Sequence, residues 1–198
     1  MTPSSVAVRP GPGVLADALP GARARDLTLV AAGAVLMALL SQLEIPVPGS
    51  PVPITGQTLG VILCGAALGA HRGGAAILLW ATLGLLLPVY ADGGSGAGHL
   101  GGVTGGYIIG FVVAAYAVGV MAERGADRRV LAALGAFIAG QLLVFGLGVP
   151  WLKAATGMPW SEAVHDGFTV FIVGGLAKAV LAAALLPAAW RAVRRIDR

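Results

Sequence analysis

Six apolar stretches, at about Leu27–Leu43, Ile54–Ala70, Gly74–Val89, Gly102–Met121, Val130–Val149 and Phe168–Pro187, follow one another with short interruptions. A helix crosses the hydrocarbon core of a bilayer with about 20 apolar residues, range about 17–25. Lipid offers no water to backbone N–H and C=O groups, so every such stretch must satisfy its own and be helical. The pattern predicts an all-α integral membrane protein, a compact bundle of six transmembrane helices without a sheet. The second and third stretches are short for a span, so either is expected to tilt inward or to be interrupted. Composition agrees, because only 11% of the residues are charged against about 25% in a soluble domain.

The cations orient the bundle. Of the thirteen Lys and Arg, eleven fall on one side of a six-span arrangement: Arg9, Arg23, Arg25, Arg72, Arg124, Arg128, Arg129, Arg191, Arg194, Arg195 and Arg198. The opposite loops hold only Lys153, and the membrane holds Lys178. The positive-inside rule then predicts a multi-pass protein of the plasma membrane with both termini cytoplasmic. Residues 1–26, rich in Pro, Gly and Ala, read as a flexible cytoplasmic tail, 27–190 as a six-helix substrate-binding membrane domain, and 191–198 as a basic cytoplasmic tail. Trp190, at the inner end of the sixth span, suits an interfacial anchor.

That charge distribution makes the net +4 a matter of topology, with membrane lipid as partner and no nucleic acid. The single Cys64 rules out an intrachain disulfide and hints at no metal cluster, and no cofactor is expected. Without a GxxxxGK[ST] sequence the chain has no phosphate-binding loop with which to hydrolyse ATP.

Three loops lie on the side away from the arginines. EIPVPGSPVPITGQ is too rich in proline for helix and stays stiff. ADGGSGAGHLGG is flexible and can bring backbone groups close to a ligand. WLKAATGMPWSEAVHD carries Trp151, Trp160 and His165. Together they suggest a lidded pocket open to the outside.

Lys178 stands in the middle of FTVFIVGGLAKAVLAAALLP, a stretch without a carboxylate. An ammonium at that depth costs about 2.5–3.5 kcal/mol on insertion scales and usually marks a substrate path. A backbone carbonyl, water or a bound anion must satisfy it. Its three donors suit a ligand carboxylate; the alternative is a lysine that snorkels to an interface.

Four stretches carry a family resemblance. HLGGVTGGYIIGF resembles the GPTGGYxxGF signature of the BioY family, the biotin-binding membrane subunits of energy-coupling factor (ECF) transporters. PVPITGQTLGVILCGAALGAHRG resembles that family's proline-rich first loop running into its second span, LLWATLGLLLPVYADGG its third span and following loop, and FIVGGLAKA its FxPGDLxKA. The resemblance implies a non-enzymatic substrate-capture subunit that binds biotin or a related vitamin and works with an ECF transmembrane coupling subunit and ATPase subunits. Lys178 occupies the family lysine position and would take biotin's valerate tail. Val103 and Val173 replace family prolines, and Gly175 replaces a family aspartate expected to hydrogen-bond the ligand or to neutralise the lysine.

Further ligand-binding candidates follow. Gln57 resembles the glutamine after the family's proline-rich loop, and its amide matches the mixed edge of a cyclic urea; alternatively it faces water at a helix start. Thr55 and Thr58 are read as helix caps. Trp80 and Tyr90 are expected to wall a fused-ring ligand, Trp80 the more so because it lies deeper. Tyr107 is the signature tyrosine, and Thr104, Gly105 and Gly106 are expected to bend the chain and bring backbone donors near the ligand. Ala34 and Ala38, four apart beside Gly33, form a small-residue face that either docks the coupling subunit or packs within the bundle.

Three other readings stay open: a subunit for a different vitamin, a transporter acting alone, and a rhomboid-like intramembrane serine protease. The last rests on Gly93-Gly94-Ser95-Gly96, which matches GxSG. Its serine needs a histidine base within reach, whereas His71, His99 and His165 all fall outside the predicted spans.

Overall fold

A computed structural model describes residues 13–19 and 23–196. Along the chain run α1 (Arg23–Ser41), α2 (Gln57–Leu68), α3 (Ala70–Leu83), α4 (Ala97–Gly101), α5 (Gly105–Glu123), α6 (Val130–Thr156), α7 (Trp160–Gly167) and α8 (Ile172–Ile196). The six longer helices correspond to the six apolar stretches. Among the described residues, α1, α5, α6 and the stretch 160–193 containing α8 are long and apolar enough to cross a membrane by themselves. Their outward faces are apolar too: Leu131 is 83% exposed and Val173 79%. A helix apolar on all sides, carrying its largest side chains outward, is suited to lipid.

The second and third helices are short, at 12 and 14 residues, and a single residue joins them. Gly69 turns the corner at φ +86°, a backbone conformation that costs glycine nothing and strains other residues. Just beyond it, a Cβ on Gly73 would lie 2.8 Å from the Cys64 carbonyl oxygen and the Gly65 Cα, so α2 and α3 meet backbone to backbone. α5 closes on the same corner. Gly119 lies directly against Gly69 and Ala70, and Gly65 against the Ala115 carbonyl. Small residues at such crossings are what let membrane helices approach and gain dispersion energy.

The corner is tighter than the expected turn, so Arg72 falls inside the first turn of α3. Its guanidinium reaches Asp17 at 2.6 Å and Asp26 at 3.2 Å. These pairs are partly exposed and individually weak, but the one to Asp26 ties α3 to the start of α1 and the one to Asp17 fastens residues 13–19 beneath the bundle. That segment, read as free tail from the sequence, has a 3-10 turn at Leu15–Ala18 with Val14 and Ala16 buried, and Arg128 donates to the Gly13 carbonyl at 3.1 Å. Partial burial opposes ionisation of Asp17, yet the Arg72 guanidinium and the Val14 N–H outweigh it and hold the carboxyl below its usual value. Residues 1–12 of the expected tail lie outside the described residues. At the other terminus α8 continues past Pro187 to Ile196, so the basic tail expected from residue 191 begins as helix. Trp190 differs from an interfacial anchor: it is buried, donates to Asp127 and lies under the Arg128 guanidinium, 4.5 Å from ring centroid.

Two expectations for the loops need correction. The first loop contains a two-residue antiparallel ladder, β1 (Glu44–Ile45) with β2 (Ile54–Thr55), pairing Glu44 with Thr55 and Ile45 with Ile54. Prolines 46, 48, 51 and 53 forbid helix and cannot donate to a ladder, while the residues flanking them retain their N–H groups and pair. The third loop is largely helical. α6 runs through Pro150 to a left-handed Gly157 at φ +73° and so includes Trp151 and Lys153, and α7 follows. Continuing the helix keeps the backbone groups around Pro150 satisfied in lipid, which an abrupt stop would not.

Candidate functional site

At the end of the bundle away from the arginines, a cavity is walled by the 52–58 segment, the 90–99 loop, the first half of α5, the middle of α6 and α8. Lys178 enters it from α8. Its ammonium donates to the Thr55 carbonyl at 2.6 Å and to the Thr58 hydroxyl at 2.9 Å. The sequence requirement for a partner is thus met by a backbone carbonyl and a hydroxyl, using two of three donors. The third is available to a ligand. Among the described residues no carboxylate lines the cavity, so none of them neutralises the lysine from its wall.

The lysine hangs on a chain of hydrogen bonds. The Thr55 hydroxyl donates to Gln57 Oε1 at 2.8 Å, Gln57 Nε2 donates to the Ser41 hydroxyl at 3.1 Å, and Ser41 donates to the Met37 carbonyl at 2.7 Å. The Thr55 hydroxyl also accepts the Gln57 N–H at the start of α2, at 3.3 Å. Gln57 lines the cavity and is buried. Its carbonyl and one N–H are committed to this chain, which leaves one N–H for a ligand. The network links α1, α2 and α8, so it fixes the depth of Lys178 before any ligand arrives. Buried polar groups held this way are pre-organised and costly to disturb.

The remaining wall is apolar and aromatic. Tyr90 is held by its hydroxyl on the Ala81 carbonyl at 2.6 Å and lies stacked with His99, centroids 5.1 Å apart and planes 21° apart. Tyr107 donates to the Gly167 carbonyl at 2.9 Å. Ile108, Phe111, Val144, Phe145 and Phe171 complete the surface. An apolar body with a few fixed polar groups and one cation is the lining that small amphiphilic anions require.

A model of the BioY family matches residues 14–195. The chain belongs to the BioY family. The biotin transporter BioY2 of Lactococcus lactis subsp. cremoris is 39% identical over 160 residues, covering 79% of this chain and 85% of that protein. The biotin transporter BioY of Rhodobacter capsulatus is 37% identical over 170 residues, covering 79% and 88%. The fold matches the crystal structure of the S-component for biotin from an ECF-type ABC transporter with TM-score 0.78 and 26% identity, over 85% of this chain and 92% of that one.

Within this BioY chain, the BioY motif positions fall into two groups. Lys178, Gln57, Tyr90, Thr104 and Tyr107 converge on the cavity. Trp80, Gly105 and Gly106 do not line it, and Ala34 and Ala38, singled out as a docking or packing face and not as motif positions, lie apart from it. Trp80 is fully buried behind the wall, donating to the Val89 carbonyl at 2.9 Å and meeting Tyr90 edge to face at 5.3 Å. The shallower Tyr90, and not Trp80, presents the ring. Gly105 and Gly106 face Trp151 of α6, whose indole donates to the Gly102 carbonyl at 2.9 Å. Their bareness admits an indole between two helices. Gly33 and Ala34 are buried toward α3, where a Cβ on Gly33 would lie 2.8 Å from that of Ala76. That part of the small-residue face belongs to the bundle, and Ala38 is half-buried beside it.

Sequence reasoning passed over Thr58, His99 and Gln141, all in the cavity wall. Thr58 was assigned to capping together with Thr55, whereas Gly56 occupies the cap position of α2 and no side chain caps it. Gln141 carried the signal that singled out Lys178, a polar side chain in mid-span, and the same argument reaches it.

Proposed function

We propose that this BioY chain is the biotin-capturing S component of an ECF transporter, delivering the vitamin to a transmembrane coupling subunit driven by ATPase subunits. The observation that carries the reading is Lys178, a cation with a spare donor in an apolar, aromatic cavity without a carboxylate. Biotin offers the complementary parts: a carboxylate for the ammonium, a fused ring for the aromatic wall, and a urea edge for amides. The names of the relatives support the same substrate. A subunit for another vitamin and a solitary transporter are not favoured by those relatives. The protease reading is not favoured either: Ser95 is exposed, and among the described residues no histidine bonds it, His99 being stacked on Tyr90.

The test uses purified chain in proteoliposomes lacking any ATPase. Labelled biotin is expected to bind saturably, near one per chain, without accumulating in the lumen. Saturable binding of a different vitamin, with none of biotin, would leave the family membership standing and overturn the substrate. Accumulation of biotin without ATPases would overturn the dependence on a coupling module.

The termini are proposed to be cytoplasmic, on the strength of the arginine asymmetry. In intact cells, a membrane-impermeant maleimide is expected to label Gly157→Cys and to spare Arg191→Cys, each in a Cys64→Ser background. The reverse pattern would invert the topology.

A further inference from the structure

Gln141 stands in the middle of α6 and lines the cavity, yet its Oε1 is buried without a hydrogen-bond partner. A buried carbonyl oxygen left unpaired keeps the desolvation penalty of an unmade hydrogen bond, and such an acceptor inside a binding site calls for a donor brought by the ligand. Opposite it stands Gly175 of α8. A Cβ on that residue would lie 2.9 Å from Gln141 Nε2, so a side chain at 175 would push that flexible amide out of its present position. Gly175 and Lys178 are three apart on α8 and share a face. Amide and ammonium are therefore presented to one cavity from neighbouring positions on two helices.

We infer that Gln141 is a specificity residue that accepts an N–H from the cyclic urea of the ligand, and that Gly175 is bare to make room for its amide. This rests on the biotin reading above. It divides recognition into two: Lys178 holds the carboxylate tail and Gln141 reads the ring. An amide oxygen performs this without adding a charge to the membrane interior, where a carboxylate would be costly unless paired.

The experiment measures the dissociation constants of biotin and of its neutral carboxamide for the purified native chain, Gln141→Leu, Gly175→Ala and the double variant. Melting in detergent verifies that each is folded. Gln141→Leu is expected to weaken acid and amide alike, by about tenfold, because it acts on the ring and not the tail. Gly175→Ala is expected to weaken both severalfold by displacing the amide, and to add nothing in the Gln141→Leu background. Such non-additivity is the signature of two residues acting through one contact. Native binding with Gln141→Leu within twofold, or Gly175→Ala losses that persist in the double variant, overturns the inference and leaves the biotin reading intact. A native chain that binds no biotin overturns both.

Discussion

Lys178→Ala is expected to weaken biotin binding by roughly ten- to a hundredfold, on the order of 1.5–3 kcal/mol, the value of a charge-assisted hydrogen bond in a dry site. The carboxamide of biotin should lose far less, since an amide gains little from the cation. The structure sharpens this expectation. The ammonium is already held by the Thr55 carbonyl and the Thr58 hydroxyl, so it needs no reordering to meet a carboxylate, and the wall supplies no competing anion. Thr58→Val removes one of the two anchors and should fall between native and Lys178→Ala. Lys178→Met, which retains most of the side-chain bulk, separates lost charge from lost packing. Equal affinities of the Lys178→Ala and native chains for both acid and amide would make the lysine a structural residue and remove the central support for anion capture.

Gly119→Val is expected to be the most damaging substitution for the fold. A Cβ there would fall onto the backbone of Gly69 and Ala70, and those atoms belong to the one-residue corner between α2 and α3. Backbone cannot yield as a flexible side chain does, so the helices must separate. Overpacking of this kind costs about 1–3 kcal/mol and sometimes more; about 3 kcal/mol would lower the melting midpoint by on the order of 10 °C for a chain of this length. Gly135→Ala serves as the control. A Cβ at Gly135 would meet nothing within 4 Å, and replacing glycine in a helix stabilises it by about 1 kcal/mol. A Gly119→Val chain melting within two degrees or so of the native one would show that the corner is not the tight contact described.

Depth was legible in the sequence, and rotation was not. Hydropathy located six helices and flagged the brevity of the second and third, and the lone mid-span cation located Lys178. What hydropathy does not encode is which way a helix faces when all its sides are apolar. α5 is the clearest case: its sequence GGYIIGFVVAAYAVGVMAE shows almost no apolar-to-polar asymmetry, so nothing in it separates Gly106, which admits an indole, from Tyr107, which lines the cavity. The same blindness placed Trp80 in the wall when it backs the wall, and left Ala34 undecided between a docking face and the bundle interior, where it is buried. Proline misled in both directions, since Pro150 did not end α6 and the four prolines of the first loop did not prevent a short ladder. Both outcomes follow from the need of the backbone groups around the prolines to find partners, in the helix for Pro150 and across the loop for the ladder.

The seam of Gly65, Gly119 and the Gly69 corner also constrains traffic. With α2, α3 and α5 in contact through their backbones at the arginine-bearing end, a ligand held in the cavity would find no passage between those three helices. On another flank, between α6 and α8, a second apolar hollow shares Gln141, Phe145 and Phe171 with the first. On the α2–α3–α5 side the body of the protein is thus a stopper rather than a conduit.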